Sequence, residues 1–244
     1  MRRVALITGG SRGIGAACVR LFAEKGWAVV FLYRSREEAA NALVEELRAC
    51  GLDVAGYRCD VSDEEQVQAV LGEILRLYHR VDVLVNNAGV AHIGLFTDMT
   101  ETDWQRVFDT NVGGIFRVTQ AVLPGMISRR QGSVVNISSM WGETGASCEV
   151  AYSAAKAAVI GFTKALAKEV GPSGVRVNCV SPGLIDTDMN VELDEAALRE
   201  LADETPLGRV GTAEEVAQAV LYLAEEGASF ITGQVLGVNG GLQV

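Results

Sequence analysis

Val4-Ala5-Leu6-Ile7-Thr8-Gly9-Gly10-Ser11-Arg12-Gly13-Ile14-Gly15 opens the chain and decides its fold. Val4–Thr8 is a short apolar run of the kind a fully buried strand shows. An amphipathic helical pattern, Ile14–Lys25, starts within the glycine turn and is stopped by Gly26. Glycine lets the backbone turn tightly and come close to a pyrophosphate, and the N–H groups at the helix N-terminus then meet its charge. A glycine turn alone is weak evidence. Here it follows a strand and opens a helix, which is the context a dinucleotide site requires. Gly9, Ser11, Arg12, Gly13, Ile14 and Gly15 are therefore the first cofactor-binding candidates.

The same alternation runs on along the chain. Strands are expected at Ala28–Tyr33, Val54–Arg58, Val81–Val85, Ser133–Ile137, Val175–Val180 and Gln234–Val238. Helices are expected at Arg36–Ala49, Thr102–Ser128, Tyr152–Val170, Glu195–Glu204 and Ala213–Glu225. Another runs from a Ser62 cap to about Tyr78, with Glu65 completing a capping box. Apolar strands joined by long helices require parallel pairing and right-handed crossovers. The expectation is an α/β fold: a doubly wound parallel sheet of Rossmann type, one domain over residues 1–244. The polar stretch from Ile185 to Gly208 interrupts the alternation and reads as an insertion that covers the substrate.

With 21 basic and 31 acidic residues the net charge is −10, which disfavours nucleic acid and anionic membrane as partners. Five cysteines without a CxxC pair, and two histidines, point away from disulfides and from a metal site. The role of Cys148 stays open. The chain starts directly in a strand with no signal-like apolar segment, and no apolar run reaches membrane-spanning length, so a cytoplasmic protein is expected.

The second strand ends Tyr33-Arg34-Ser35, without a carboxylate until Glu37. An acidic residue there would favour the ribose 2′-hydroxyl of NAD, whereas arginine accommodates a 2′-phosphate. Arg34, Arg12 and Ser35 therefore indicate NADP(H). Asp60, beside Val61, follows the third strand and is either an acceptor for the adenine amino group or a cap on the next loop. Asn86-Asn87-Ala88-Gly89 follows the fourth strand, and Ser138-Ser139 the fifth. Asn111 lies inside a helical pattern, where asparagine is a poor former. Tyr152 and Lys156 are four residues apart in a helix, so phenol and ammonium share one face.

Taken in order, TGGSRGIG, NNAG, Asn111, Ser139, Tyr152-x-x-x-Lys156 and Ser181-Pro182-Gly183 resemble the short-chain dehydrogenase/reductase family over essentially the whole chain. The resemblance implies that Tyr152 is the general acid, that Lys156 holds the nicotinamide ribose and tunes Tyr152, that Ser139 binds the carbonyl oxygen and that Asn111 positions a relay water. It implies that Asn87, Ala88 and Gly89 line the cofactor, that Pro182, Gly183 and Thr187 reach its nicotinamide side, and that the protein is a homotetramer. The apolar helix positions Phe116, Val122, Val159, Phe162 and Ala165 agree with assembly. A free tyrosine titrates near 10, so acid–base work near neutrality calls for roughly 3–4 kcal/mol of preference for phenolate.

Within that family the chain resembles 3-oxoacyl-(acyl-carrier-protein) reductases through Tyr33-Arg34-Ser35, Ser181–Met189 and Gly233–Gly241. Such enzymes favour a basic surface beside the cleft for their acidic carrier, which Arg129 and Arg130 fit in part. Between Ser139 and Tyr152 the chain departs from them, reading Met140-Trp141-Gly142-Glu143-Thr144-Gly145-Ala146-Ser147-Cys148-Glu149-Val150-Ala151. This string is similar to reductases that act on a 5-aminopentanone group on a lysine of elongation factor P. Trp141, Glu143 and Glu149 are accordingly the substrate candidates, the carboxylates suiting a ketone that bears positive charge.

Overall fold

A computed structural model describes residues 2–187 and 195–243. Its sheet is made of β1 (Val4–Thr8), β2 (Ala28–Tyr33), β3 (Val54–Arg58), β4 (Val83–Asn86), β5 (Gly132–Ile137), β6 (Val175–Pro182) and β7 (Val235–Val238). They lie in the order β3-β2-β1-β4-β5-β6-β7 and every neighbouring pair is parallel. Parallel neighbours cannot be joined by hairpins, so helices make the crossovers: α1 (Gly13–Glu24), α2 (Glu37–Ala49), α3 (Glu64–Tyr78), α4 (Glu101–Phe108), α5 (Gly114–Arg129), α6 (Trp141–Thr144), α7 (Val150–Val170), α8 (Glu195–Glu204) and α9 (Ala213–Ala224). The strand order reverses between β1 and β4, the place where such sheets bind ligands.

Successive strand residues point to opposite faces, and both faces are buried. Ala5, Ile7, Val29, Phe31 and Tyr33 enter one core with Phe22 of α1 and Val216 and Val220 of α9. Val4, Leu6, Val30 and Leu32 enter the other with Leu71 of α3, Val118 of α5 and Val170 of α7. At the C-terminal ends of the central strands polar groups cross the sheet. Asn86 and Asn136 are register partners, and the amide of Asn86 donates to Asn136 Oδ1 at 2.8 Å. Asn136 Nδ2 in turn donates to Thr163 Oγ1 of α7 at 2.9 Å.

Several expected boundaries move. The helix expected over Thr102–Ser128 is two helices, α4 and α5, separated by a five-residue π turn at Asp109–Gly113. The cause is Asn111, whose amide clasps Val90 from both sides, accepting from Val90 N and donating to Val90 O, each at 2.8 Å. Thr100 and Asp103 form a capping box that starts α4 before Thr102. Ser62 does not cap α3. Its N–H and hydroxyl both donate to Asp60 Oδ1, and Asp63 caps the helix by accepting from Gln66 N. Of the stretch from Ile185 to Gly208, residues 188–194 lie outside the described residues; Ile185 pairs with Gly211 in an isolated bridge, and α8 fills the later part. Among the described residues no helix is long and apolar enough to cross a membrane.

Candidate active site

The turn between β1 and α1 is shaped for close approach. Gly9 and Gly13 have positive φ, +67° and +51°. A Cβ on Gly15 would come within 2.1 Å of Gly9 O, so only glycine lets the helix start this close to the strand. No side chain caps α1. Its first residues border a cleft that Gly9, Ser11, Arg12, Gly13 and Ile14 line together with Asn87, Ala88, Gly89 and Thr187. Asn87 does more than line it. Its amide nitrogen donates to Thr8 O and Gly9 O at 3.0 and 3.1 Å, while Thr8 Oγ1 accepts from the backbone of both Asn87 and Ala88 at 2.9 Å. Thr8 is thus a structural member of the site that sequence reasoning passed over.

Farther along the same cleft lie Arg34, Ser35, Asp60 and Val61. Arg34 Nη1 stands 3.9 Å from Asp60 Oδ2, with its side chain half exposed. Asp60 spends its other oxygen on Ser62, the loop-capping role that was one of its two readings. A turn that a single Cβ would block, a helix N-terminus beside it and an arginine farther along the cleft fit a dinucleotide that carries a 2′-phosphate.

The second cleft is continuous with the first through Ile14, Asn87, Gly89 and Thr187. Ser139, Trp141, Glu149, Tyr152, Lys156, Pro182 and Gly183 all border it. Ser139 sits just past β5 and Tyr152 on the first turn of α7. The Lys156 ammonium lies 5.5 Å from the Tyr152 ring centre and donates to Ile137 O at 2.8 Å. Ser138 Oγ donates to Lys156 O at 2.8 Å, tying α7 to β5 at the same turn. Asn111 is wholly buried behind this wall. A Cβ on Gly89 would lie 2.8 Å from Asn111 Oδ1 and 3.4 Å from Lys156 Nζ, so glycine here leaves space for both side chains.

The electrostatics differ from the expectation of a lowered phenol. Burial pushes Tyr152 up to about 12; the hydrogen bond with Ser139 opposes that, and Glu149 adds to it. Burial also pulls Lys156 down to about 8. Each group by itself favours its neutral form, because both are taken out of water. The Glu149 carboxyl is raised by desolvation.

The two candidate carboxylates part company. Glu149 borders the cleft, and no cation among the described residues pairs with it. Glu143 is not on the lining; its Oε1 accepts from the buried Ser181 hydroxyl. Ile93 and Leu201, which the sequence did not single out, complete the mouth. Cys148 has a positive φ of 63°, and its carbonyl accepts from Gly94 N at 2.8 Å. Arg129 and Arg130 are not beside the cleft on this chain. They precede β5, whose far end carries Ser139, and they donate to Val81 O and Pro172 O. The intervening strand separates them from Ser139 by roughly 20 Å.

Comparison with known proteins agrees with this geometry. A family model described as enoyl-(acyl carrier protein) reductase matches residues 9–243. A 3-oxoacyl-(acyl-carrier-protein) reductase of Chlamydia trachomatis is 45% identical over 243 residues, covering 99% of this chain and 98% of that protein. One of Thermotoga maritima is 44% identical over 242 residues, covering 99% and 98%. An uncharacterized oxidoreductase of Bacillus subtilis is 41% identical over 242 residues, covering 99% of each. With a match of this extent, and with serine, tyrosine and lysine gathered at the switch point of a parallel sheet, the chain belongs to the short-chain dehydrogenase/reductase family.

Proposed function

We propose that this protein reduces a ketone to a secondary alcohol with NADPH, in the manner of 3-oxoacyl-(acyl-carrier-protein) reductases. The observation that carries the reading is the placement of Ser139, Tyr152 and Lys156 on one cleft that runs directly into the glycine turn. The cofactor supplies the hydride when bound. The glycine turn and the α1 N-terminus hold its pyrophosphate, Arg34, Arg12 and Ser35 its 2′-phosphate, Asn87–Gly89 the adjoining ribose, and Pro182, Gly183 and Thr187 the nicotinamide side. Tyr152, kept protonated by its burial, gives its proton to the carbonyl oxygen. Ser139 donates to the same oxygen as negative charge develops there. Lys156, titrating at about 8 and so still largely an ammonium near neutral pH, stabilises the phenolate left behind and reaches the ribose. Asn111 and Lys156 mark where a relay water returns the proton.

A homotetramer, a cytoplasmic setting and an acyl carrier protein as bearer of the ketone complete this reading. Of the stretch 185–208, the described residues Ile185, Thr187 and Leu201 border the cleft, which supports their standing over the substrate. Oxidation of NADPH by the purified protein on addition of an acetoacetyl thioester tests it; no oxidation with that or any activated ketone would overturn it. One observation favours a second reading. Glu149 puts on the cleft wall a carboxylate that no cation among the described residues pairs with, which suits a ketone with a nearby ammonium, such as the 5-aminopentanone group on elongation factor P. The same assay with that ketone-bearing protein distinguishes the two. A non-catalytic NADP(H)-binding protein is the remaining alternative, and turnover of either substrate excludes it.

A further inference from the structure

The end of β5 holds α7 by side chains and holds β6 mainly by backbone. Ser138 N donates to Val180 O at 2.8 Å and Met140 N to Pro182 O at 3.0 Å, bracketing Ser181. Between these two bonds the Ser181 side chain is fully buried and donates to Glu143 Oε1. Glu143 belongs to α6, the short helix that follows Ser139. The preceding residue fixes where α6 sits: a Cβ on Gly142 would come within 2.7 Å of the Lys156 carbonyl carbon. Consecutive residues of one turn thus touch the two walls of the cleft, Gly142 against the Lys156 backbone and Glu143 against the residue that leads into Pro182-Gly183.

We infer that Glu143 is a positioning residue. Through Ser181 it fixes the Pro182-Gly183 wall against the loop that carries Ser139, and it does not touch the substrate. The carboxylate has spent an oxygen on a buried hydroxyl 38 positions away in sequence and does not border the cleft. Removing it leaves Ser181 without its acceptor inside the protein, and the wall on the nicotinamide side loses its one side-chain tie to the catalytic loop among the described residues. The inference rests on the ketone-reductase reading only for its rate measurement.

Four variants decide it: E143A, S181A, the double variant and E143Q, each checked first by its melting temperature. E143A and S181A are each expected to raise the NADPH dissociation constant and lower kcat by roughly tenfold, with KM for an acetoacetyl thioester held. The double variant should fall no further than the worse single one, because both remove the same bond. E143Q keeps an oxygen that accepts from Ser181 and should stay within about threefold of the unmodified protein. Losses that multiply in the double variant overturn the inference. So does an E143Q as impaired as E143A, or a rise in ketone KM at constant kcat, which would put Glu143 on the substrate. If E143A does not fold, S181A, which removes a single oxygen, carries the comparison with E143Q. NADPH binding is read by nicotinamide fluorescence without turnover. If the unmodified protein reduces no ketone, the functional reading fails while the binding series still decides the role of Glu143.

Discussion

Lys156 holds its ammonium 5.5 Å from the centre of the Tyr152 ring while donating to Ile137 O, so the pair is fixed to β5 as well as to its own helix. Proton donor and cation therefore cannot drift apart when the cleft fills. Tyr152→Phe should abolish ketone reduction and leave NADPH binding intact, because only the donor is lost. Lys156→Ala should lower both rate and cofactor affinity and leave Ile137 O without its side-chain partner. Steady-state kinetics and NADPH titration check both; a Tyr152→Phe rate within about tenfold of the unmodified protein removes Tyr152 from its role.

The same burial makes a prediction about pH. Lys156 titrates at about 8 in the folded chain against 10.5 ordinarily, so across that window the unfolded chain holds more protons and the lysine adds stability as pH rises. Tyr152 titrates at about 12 against 10.0, so across that higher window the folded chain holds more protons and stability falls as pH rises. Melting temperatures of the cofactor-free protein from about pH 7.5 to pH 11 should show this by difference. Lys156→Met loses the rise and Tyr152→Phe loses the fall. A Lys156→Met curve parallel to that of the unmodified protein contradicts the assignment.

On the proposed reading Arg34 sets the cofactor preference. Its guanidinium is half exposed on the first cleft, 3.9 Å from Asp60, and the site offers no carboxylate at Tyr33 for a ribose hydroxyl. A charge-assisted bond to phosphate contributes about 1.5–3 kcal/mol, so kcat/KM should favour NADPH over NADH by roughly 10- to 150-fold. Arg34→Ala should narrow that ratio. Equal kcat/KM for the two cofactors in the unmodified protein refutes the reading.

What the sequence made legible follows from how local each feature is. The parallel sheet was readable because its strands are buried on both faces and appear as plain apolar runs, as in Val4–Thr8 and Ala28–Tyr33. The glycine turn and the Tyr152–Lys156 pair were readable because their spacing is set within one element. Asn111 was visible as a misfit, but its two bonds to Val90 and the widened turn they impose depend on a partner 21 positions away. Ser62 satisfied a local capping pattern and lost to Asp60, which captured its hydroxyl. Glu143 lies between Ser139 and Tyr152 in sequence, which suggests a substrate residue, but its partner Ser181 is 38 positions away on β6 and invisible to local spacing. The Ser62 outcome is a choice between competing local partners, whereas the Glu143 contact is tertiary.

Assembly is a separate matter, and here the helix faces divide. Val122 and Val159 are buried in the chain's own core, whereas Phe116 is half exposed. Phe230 and Tyr222, near the edge strand β7, are exposed as well. Large apolar side chains left in water on two sides of one chain favour burial against further copies. Light scattering at micromolar concentration is expected to give a tetramer. A particle at the chain mass of 25.9 kDa would contradict this.

Glu149 bears on which ketone is taken. It precedes α7 by one residue, borders the cleft with Tyr152, and is raised by desolvation, with no cation among the described residues opposing the shift. An ammonium on the substrate would lower it again and gain on the order of 1–3 kcal/mol, as hydrogen bonds to charged groups do. A neutral acyl thioester gains nothing from the carboxylate, and an acidic carrier beside it is repelled. Glu149→Gln should therefore reduce kcat/KM for a cationic ketone by roughly 5- to 150-fold and leave an acetoacetyl thioester unchanged or improved. Glu143→Gln is the control, since its carboxylate faces Ser181 and should not alter the ratio of the two activities. If Glu149→Gln leaves that ratio where it was, the carboxylate has no part in choosing the ketone, and the carrier-protein reading takes precedence.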